Sequence, residues 1–227
     1  MKHGKKYNEV AKKIDREQAY DVPAACALVK DAHFAKFDET VEVHVRLNLK
    51  KSASVRDTVV LPHQFRGEKK ILVFCKGEKE KEALDAGAAY AGADELIEKI
   101  KGGWLDFDVA VATPDMMKDV GKLGMVLGRK GLMPNPKTGT VTHDIKAAVA
   151  ELRKGRTEYR TDKSGIIHLA IGKVSMEAVQ VAENLGTLLD EVQRKRPADT
   201  KGEFVTSVFL TSTMGPGVRI ALTKTER

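Results

Sequence analysis

The segment Phe37–Leu49, with the sequence FDETVEVHVRLNL, decides how the fold of this chain is read. From Val41 onward a hydrophobic residue occupies every second position, and the positions between are polar: Glu42, His44, Arg46 and Asn48. Successive side chains of a strand point to opposite faces, so this alternation predicts a long β-strand with one buried and one solvated face. Antiparallel sheets commonly have such a solvated face. Residues 57–61 predict a neighbouring strand that ends before Pro62.

The pattern changes after Gly67. Residues 71–75, ILVFC, form a continuous apolar run, which is typical of a strand buried on both faces. A second apolar strand is predicted over residues 107–112. Helices and a turn of small residues are predicted around these strands, the helices at 78–86, 94–101, 114–121 and 144–155 (capped by Asp144) and the turn at 86–92. This alternation of strands and helices predicts a small three-layer α/β domain with a mainly parallel sheet.

The first pattern returns after Gly155. The predicted elements are short strands at 156–160 and 166–172 around a hairpin turn at 162–165, a long helix from Ser175 to about Lys195, and strands at 202–213 and 218–222. Near the N-terminus, one helix is predicted over residues 5–14 and another begins at Pro23.

Because both ends of the chain share one pattern, we predict an α/β protein of two domains. An outer two-layer α+β domain comprises residues 1–66 and 156–227, and an α/β domain of residues 67–155 is inserted into it. Insertion is physically easy, since chain ends commonly lie close together at a domain surface. Gly67 and Gly155 lie where the chain crosses between the domains, and they are hinge candidates, with ordinary turn glycines as the alternative.

The charge balance favours a polyanionic partner. Lys and Arg total 39 against 32 Asp and Glu, a net charge of +7, and +6 of this excess falls in the predicted outer domain. The two cysteines, Cys26 and Cys75, have no metal-ligand spacing and are typical of a reducing compartment. The basic N-terminus lacks the apolar core of a signal peptide, and no run of residues is long enough to span a bilayer. We expect a cytoplasmic protein.

The segment Gly121–Val141, GKLGMVLGRKGLMPNPKTGTV, is basic, rich in glycine and free of acidic residues. It predicts a shaped loop after a short helical start, able to bind phosphate through its backbone N–H groups. From Gly131 it approaches the phosphate-binding loop of NTPases, but Pro136 replaces the second glycine and has no N–H, so an NTPase is excluded. Contacts with phosphate are expected at Arg129, Lys130 and Lys137.

Two further functions stay open from the residues alone. Gly128–Gly131 has the GxxG spacing with which KH domains clamp single-stranded RNA. Asp106, Asp108 and Asp115 flank the strand before Pro114, where they could bind a cation in an enzyme or act as helix caps. The six histidines show no pairing with a nucleophile and no ligand spacing, so we expect neither an enzyme nor a metal or cofactor.

The outer domain offers better candidates for RNA binding. Lys36 and Phe37 precede the alternating strand, and an aromatic ring beside a cation can stack on a base and pair with phosphate. Residues 211–215, TSTMG, supply hydroxyl groups, exposed backbone and a flexible thioether at a tight turn. An RNA-binding module is therefore favoured over an unassigned pair of domains.

Several segments in this order and spacing resemble one family: KHGKKY, AKFDETVEV, VVLPH, GWLDFDVAVATPDMM, KLGMVLGRKGLMPNPKTGTV, KGRTEYRTDKSGIIH and TSTMGPGVRI. They are similar to the bacterial ribosomal stalk proteins of the large subunit. The resemblance implies two domains, the second inserted into the first, joined by a mobile double connection. It also implies a protein, monomeric when free, that binds 23S rRNA in the mobile stalk beside the E site. Such a protein assists release of deacylated tRNA and represses translation of its own operon mRNA.

The resemblance also implies which residues contact RNA. They fall on Lys36, Phe37 and Thr40 near one end of the chain, and on Ser207, Thr213, Met214 and Gly215 near the other, with Thr211 added from the turn. Lys163 and His168 in the predicted hairpin are further candidates. Residues 48–58 and 63–70 depart from the family pattern.

Overall fold

The computed structural model describes residues 4–50, 54–197, 200 and 202–222, with the backbone alone at Glu78 and Lys137. Residues 51–53 of the atypical segment 48–58 lie outside this range. The chain divides into two compact units, one of Met1–Phe65 with Tyr159–Arg227 and the other of Arg66–Glu158. The two boundaries between the units, after Phe65 and after Glu158, lie one and three residues from those expected from the sequence.

The described helices are α1 (Lys5–Ala11), α2 (Val22–Asp31), α3 (Glu78–Asp85), α4 (Asp94–Lys101), α5 (Met117–Gly121), α6 (Gly124–Lys130), α7 (Ile145–Arg153) and α8 (Ala178–Arg194). The described strands are β1 (Thr40–Leu47), β2 (Arg56–Val60), β3 (Ile71–Phe74), β4 (Tyr90–Gly92), β5 (Val109–Ala112), β6 (Arg156–Arg160), β7 (Ile166–Lys173), β8 (Val205–Ser212) and β9 (Val218–Ile220). Short 3-10 turns span Pro114–Met116 and Pro136–Thr138.

In the outer unit, β1 lies inside an antiparallel sheet of order β7-β1-β8-β9. The predicted alternation is confirmed, since Val41, Val43, Val45 and Leu47 are buried and the intervening side chains are not. Their buried face packs against residues of α2 and α8 in one hydrophobic core. Burying a valine completely contributes about 1.5–3 kcal/mol, so this stripe holds the two layers together. The opposite face of the sheet carries the polar side chains.

The inserted unit has a parallel sheet of order β4-β3-β5. All four residues of β3 are buried, and alternate ones enter different cores. Leu72 and Phe74 pack with residues of α4, α5 and α6, whereas Ile71 and Val73 pack with residues of α3 and α7. Helices thus cover both faces of the sheet, and the mixed α/β fold class is confirmed.

Three local predictions are wrong. Tyr90–Gly92 was expected in a turn but forms β4, because pairing with β3 outweighs the low strand propensity of small residues. Ser175 does not cap α8. Glu177 does, through a capping box with Gln180.

The third error concerns the turn at residues 162–165. The turn is present: the Ile166 carbonyl accepts from the Asp162 N–H at 2.9 Å, and an isolated antiparallel bridge pairs Thr161 with Ile167. β6 pairs with β2 and β7 pairs with β1, so the two strands belong to different sheets and no regular hairpin forms.

Candidate nucleic-acid interface

Two of the segments expected to contact RNA meet at the start of β1. β1 and β8 are antiparallel neighbours, with Val41 opposite Ser212, so the start of one strand lies beside the end of the other. The Thr40 N–H donates to Thr213 Oγ1 at 3.0 Å, and that hydroxyl is also 3.3 Å from the Thr40 carbonyl, to which it can donate. Segments more than 170 residues apart in the chain are therefore joined at one end of the sheet.

The carboxylate of Glu39 links the same two segments from below. It is completely buried, and it accepts the Ala35 N–H at 3.1 Å and the Met214 N–H at 2.9 Å. Burial by itself would raise the pKa of Glu39, but the bonds from the Met214 N–H and the Ala35 N–H help to lower it below its ordinary value. Glu39 is therefore an ionised group that fixes both loops.

Sequence reasoning did not select Glu39. Its position, one residue before an alternating strand, was the only signal, and an acidic residue there is usually solvated. Only the fold shows that the residue turns inward.

Side chains on this framework are exposed. Phe37 is 53% and Met214 is 50% exposed, so both large apolar side chains are available to a partner. The loop that carries Phe37 is held on its other side, where Asp38 accepts both the N–H and the hydroxyl of Ser175 at 3.1 and 2.9 Å. Lys173 Nζ donates to Thr40 Oγ1 at 2.8 Å. The apolar side chains are thus presented on a rigid support.

The turn after β8 leaves little room for a side chain at Gly215. A Cβ there would lie 2.5 Å from Ser212 Oγ, closer than non-bonded atoms approach. The Thr211 hydroxyl donates within the turn, to the Gly215 carbonyl at 3.1 Å. Thr211 therefore shapes the turn from inside, whereas Thr213 and Met214 are exposed at its surface.

The remaining expected contacts lie elsewhere on the sheet. Ser207 is opposite Arg46, near the far end of β8 and roughly 20 Å along the strand from Thr213 at 3.4 Å per residue. Lys163 is in the turn at the same far end, where the Leu47 N–H donates to the Gly165 carbonyl. His168 lies between the two ends, opposite His44. The expected residues therefore follow one sheet face in two groups rather than forming a single patch.

The same face carries residues that the sequence did not single out for RNA binding. Phe209 is opposite His44 on one side and opposite Arg219 on the other, and it is 37% exposed. With Arg46 on β1, the face combines aromatic and cationic side chains. This composition suits an RNA backbone with unpaired bases.

The basic segment of the inserted unit starts as a helix, as the sequence predicted, but the helix reaches Lys130 before the loop begins. Gly124–Lys130 is helix α6, held by the buried Leu127, because packing outweighs the low helix propensity of its glycines. Gly128, Arg129 and Lys130 form its last turn, and Gly131 ends it in the left-handed region at φ +71°. The GxxG spacing is therefore a helix end and not a KH-type loop.

The following loop uses its polar groups internally. The Asn135 N–H donates to Thr140 Oγ1 at 2.7 Å, and the buried Thr138 hydroxyl donates to the Asn135 carbonyl at 3.0 Å. Arg129 and Lys130 are exposed, whereas the side chain of Lys137 lies outside the described part of the structure. The loop is internally braced, and the exposed Arg129 and Lys130 at the end of α6 are available to an anion.

Asp106 and Asp108 are engaged in contacts of the fold, and Asp115 is exposed in the first turn of the 3-10 segment Pro114–Met116. Lys70 Nζ pairs with Asp106 at 2.7 Å, and the Lys70 N–H donates to Asp108 Oδ2 at 2.9 Å. Among the described residues no group of three or more His, Cys, Asp and Glu is arranged to hold a metal. Both cysteines are buried, and burial raises the pKa of Cys26 to about 11. No helix of the described chain has the length and apolar character needed to cross a membrane.

Comparison with known proteins decides the family. The family model described as "Ribosomal protein L1p/L10e family" matches residues 29–216. The chain belongs to this ribosomal protein family. It is 65% identical over 218 residues to the large ribosomal subunit protein uL1 of Treponema denticola, covering 96% of each chain. The uL1 proteins of Treponema pallidum (strain Nichols) and Borrelia hermsii are 59% and 55% identical, again over 96% of this chain and over 96% and 98% of their own.

These comparisons confirm the resemblance read from the sequence. The relatives are named as ribosomal proteins and not as enzymes, so the enzyme alternative for the inserted unit is discarded.

Proposed function

We propose that this ribosomal protein is a component of the large subunit in the cytoplasm and binds 23S rRNA through the solvated sheet face of its outer unit. Family membership and the uL1 relatives support the assignment to the subunit. The RNA contacts would be Phe37, Met214 and their neighbours at the Thr40 end, with Ser207, Lys163 and His168 farther along the face.

The observation that carries the proposal is the buried Glu39 carboxylate, which joins the two loops expected to contact RNA. A surface that is ordered before binding loses little conformational entropy when it binds. Phe37 and Met214 are exposed on this support, so they can make shape-specific contacts with sugars and bases. Arg46, Arg219 and Lys163 supply charge for phosphates.

Affinity should fall as salt rises, because cations that neutralise phosphates release counterions. The logarithm of the affinity falls with the logarithm of salt concentration, with a slope of about −0.7 to −0.9 for each phosphate neutralised. Replacing an exposed lysine should mainly reduce this slope, whereas replacing Met214 should weaken binding at every salt concentration.

We extend the proposal to the finer roles that the family resemblance implies. The protein would bind in the mobile stalk beside the E site and assist release of deacylated tRNA. It would also repress translation of its own operon mRNA through the same RNA face. Arg129, Lys130 and Lys137 of the inserted unit would touch tRNA or secondary rRNA phosphates. Gly67 and Gly155 would serve as hinge points.

The direct test is the double substitution Thr213→Ala with Met214→Ala, assayed by filter binding to a stalk rRNA fragment. We expect at least a tenfold loss of affinity with little change in the salt slope. Met125→Ala is the matched control, since Met125 is 80% exposed but lies in the inserted unit. The same variants in a translation assay with the operon mRNA should show loss of repression for the double variant alone.

An affinity equal to that of the unmodified protein, in a double variant that is folded by circular dichroism, would refute the RNA site at the Thr40 end. Loss of affinity in the Met125 variant would instead place the RNA surface on the inserted unit.

A further inference from the structure

Two histidines on the solvated sheet face share a hydrogen bond. His44 of β1 and His168 of β7 are directly opposite each other, with their Nδ1 atoms 2.8 Å apart and the ring planes at 63°. The other nitrogen of His168, Nε2, lies 3.5 Å from Asp162 Oδ2. The three side chains form a row from Asp162 through His168 to His44.

The row determines where its protons are. Asp162 Oδ1 accepts the Ser164 and Ile166 N–H groups, and the bond from Ile166, with that from Ser164, lowers the pKa of Asp162. Asp162 is therefore ionised at neutral pH and can only accept, so its carboxylate, 3.5 Å away, favours a proton on His168 Nε2. His168 Nδ1 is then bare and accepts the Nδ1–H of His44. The bare nitrogen left over in the neutral pair is His44 Nε2.

Adding one proton changes the outer end of the row. In the singly protonated pair, one proton lies between the two Nδ1 atoms, a second is on His168 Nε2 and a third is on His44 Nε2. This holds whichever of the two rings carries the positive charge. The positive charge can shift to His168, beside Asp162, while the N–H group gained on protonation is that of His44 Nε2. A second added proton would bring two N–H groups face to face, so the pair takes up one proton without breaking.

The charged groups around His44 bear on that uptake. Burial lowers the pKa of His44, His168 lowers it further, and Glu42 on the same strand raises it. Arg46 lies two residues along β1, and Arg219 of β9 lies across Phe209 of β8. The pKa of unbound His44 therefore lies below its ordinary value, and an anion placed at His44 Nε2 would favour the charged form.

We propose that His44 binds a phosphate of the RNA ligand through Nε2 and that this contact is coupled to the uptake of one proton by the His44–His168 pair. The proposal rests on the RNA-binding function proposed above. His44 lies midway between the two groups of expected contacts, so RNA that spans both groups passes over it. From the sequence alone, His44 was expected only to lie on the solvated face of the sheet.

The test measures the affinity of the full chain for a stalk rRNA fragment from pH 5.5 to 8 at constant ionic strength. Binding should tighten as pH falls, by up to about tenfold per pH unit as expected for one proton, between the lowered pKa of unbound His44 and its higher pKa in the complex. His44→Gln should remove this dependence. His63→Gln is the matched control, because His63 is bonded to Glu183 of α8, and it should keep the dependence.

A pH-independent affinity of the unmodified protein, or an unchanged pH dependence in His44→Gln, overturns the proposal. Absence of rRNA binding at every pH refutes the proposed function itself and the phosphate contact with it.

A second measurement does not depend on RNA. Nitrogen chemical shifts of the imidazole rings at pH 8 should show His168 protonated on Nε2 and His44 on Nδ1. The opposite tautomers would overturn the proton arrangement and the proposal built on it.

Discussion

Replacing Glu39 by glutamine tests how the two RNA-contacting loops are held. Glutamine has nearly the same shape, but one of its two acceptor oxygens becomes an NH2 group. That group would face the N–H of Ala35 or of Met214, which the carboxylate oxygens accept at 3.1 and 2.9 Å. One buried N–H is then left unpaired, at a cost of about 1–3 kcal/mol.

This cost can appear in two places. If the loops stay closed, the free energy of unfolding of the outer unit falls by about 1–3 kcal/mol. If they open, rRNA affinity falls by roughly 5- to 150-fold, since 1.4 kcal/mol corresponds to a factor of ten. Amide hydrogen exchange at Met214 and Ala35 should be faster in either case.

The pH dependence has a definite sign. The pKa of Glu39 is lower in the folded protein than in the unfolded chain. Its contribution to stability is therefore present above its unfolded value and is lost as pH falls through its folded value. Urea unfolding of the unmodified protein should show this loss under acid conditions, and Glu39→Gln should show less of it.

Glu9→Gln is the control, because Glu9 is exposed on α1, and it should leave stability, exchange and affinity unchanged. Equal stability, equal protection of the Met214 amide and equal rRNA affinity in Glu39→Gln would refute the role of Glu39.

Two further predictions concern the turn after β8 and the basic end of α6. Gly215→Ala should weaken rRNA binding by about tenfold or more, because the alanine Cβ would lie 2.5 Å from Ser212 Oγ. By analogy with overpacked cores, such a contact costs about 1–3 kcal/mol. Adding Ser212→Ala should restore part of that loss in the same filter-binding assay, and no restoration would show that the clash is not the cause. Replacing Arg129, Lys130 and Lys137 by glutamine should leave stalk rRNA affinity unchanged and slow or speed tRNA release from ribosomes, and unchanged release kinetics would make the segment purely architectural.

The layers of both units could be predicted because they depend on local periodicity. The alternation from Val41 to Leu47 and the continuous run of β3 predict how each strand is buried, and both patterns are present in the structure. Only a short helical start was predicted where α6 lies, because its glycines weaken the local signal, and buried contacts such as that of Leu127 stabilise the helix instead. Strand β4 was missed for the same reason, since only its pairing with β3 makes it a strand.

Residue types and family motifs could nominate Phe37, Thr213 and Met214, but not the group that joins them. Glu39 and Met214 are 175 residues apart, and their contact exists only because β1 and β8 pair in one register. Ser207 and Thr213 are close in sequence but lie far apart along a strand, a separation that motif matching does not reveal.

The sequence by itself determined the family, the two classes of sheet and the candidate RNA-binding segments, because each is carried by local pattern or by residue identity. Tertiary structure alone decided that Glu39 turns inward to hold both loops and that His44 meets His168 across two strands. Those contacts depend on strand register, and a shift of one residue would turn each of these side chains to the other face of the sheet.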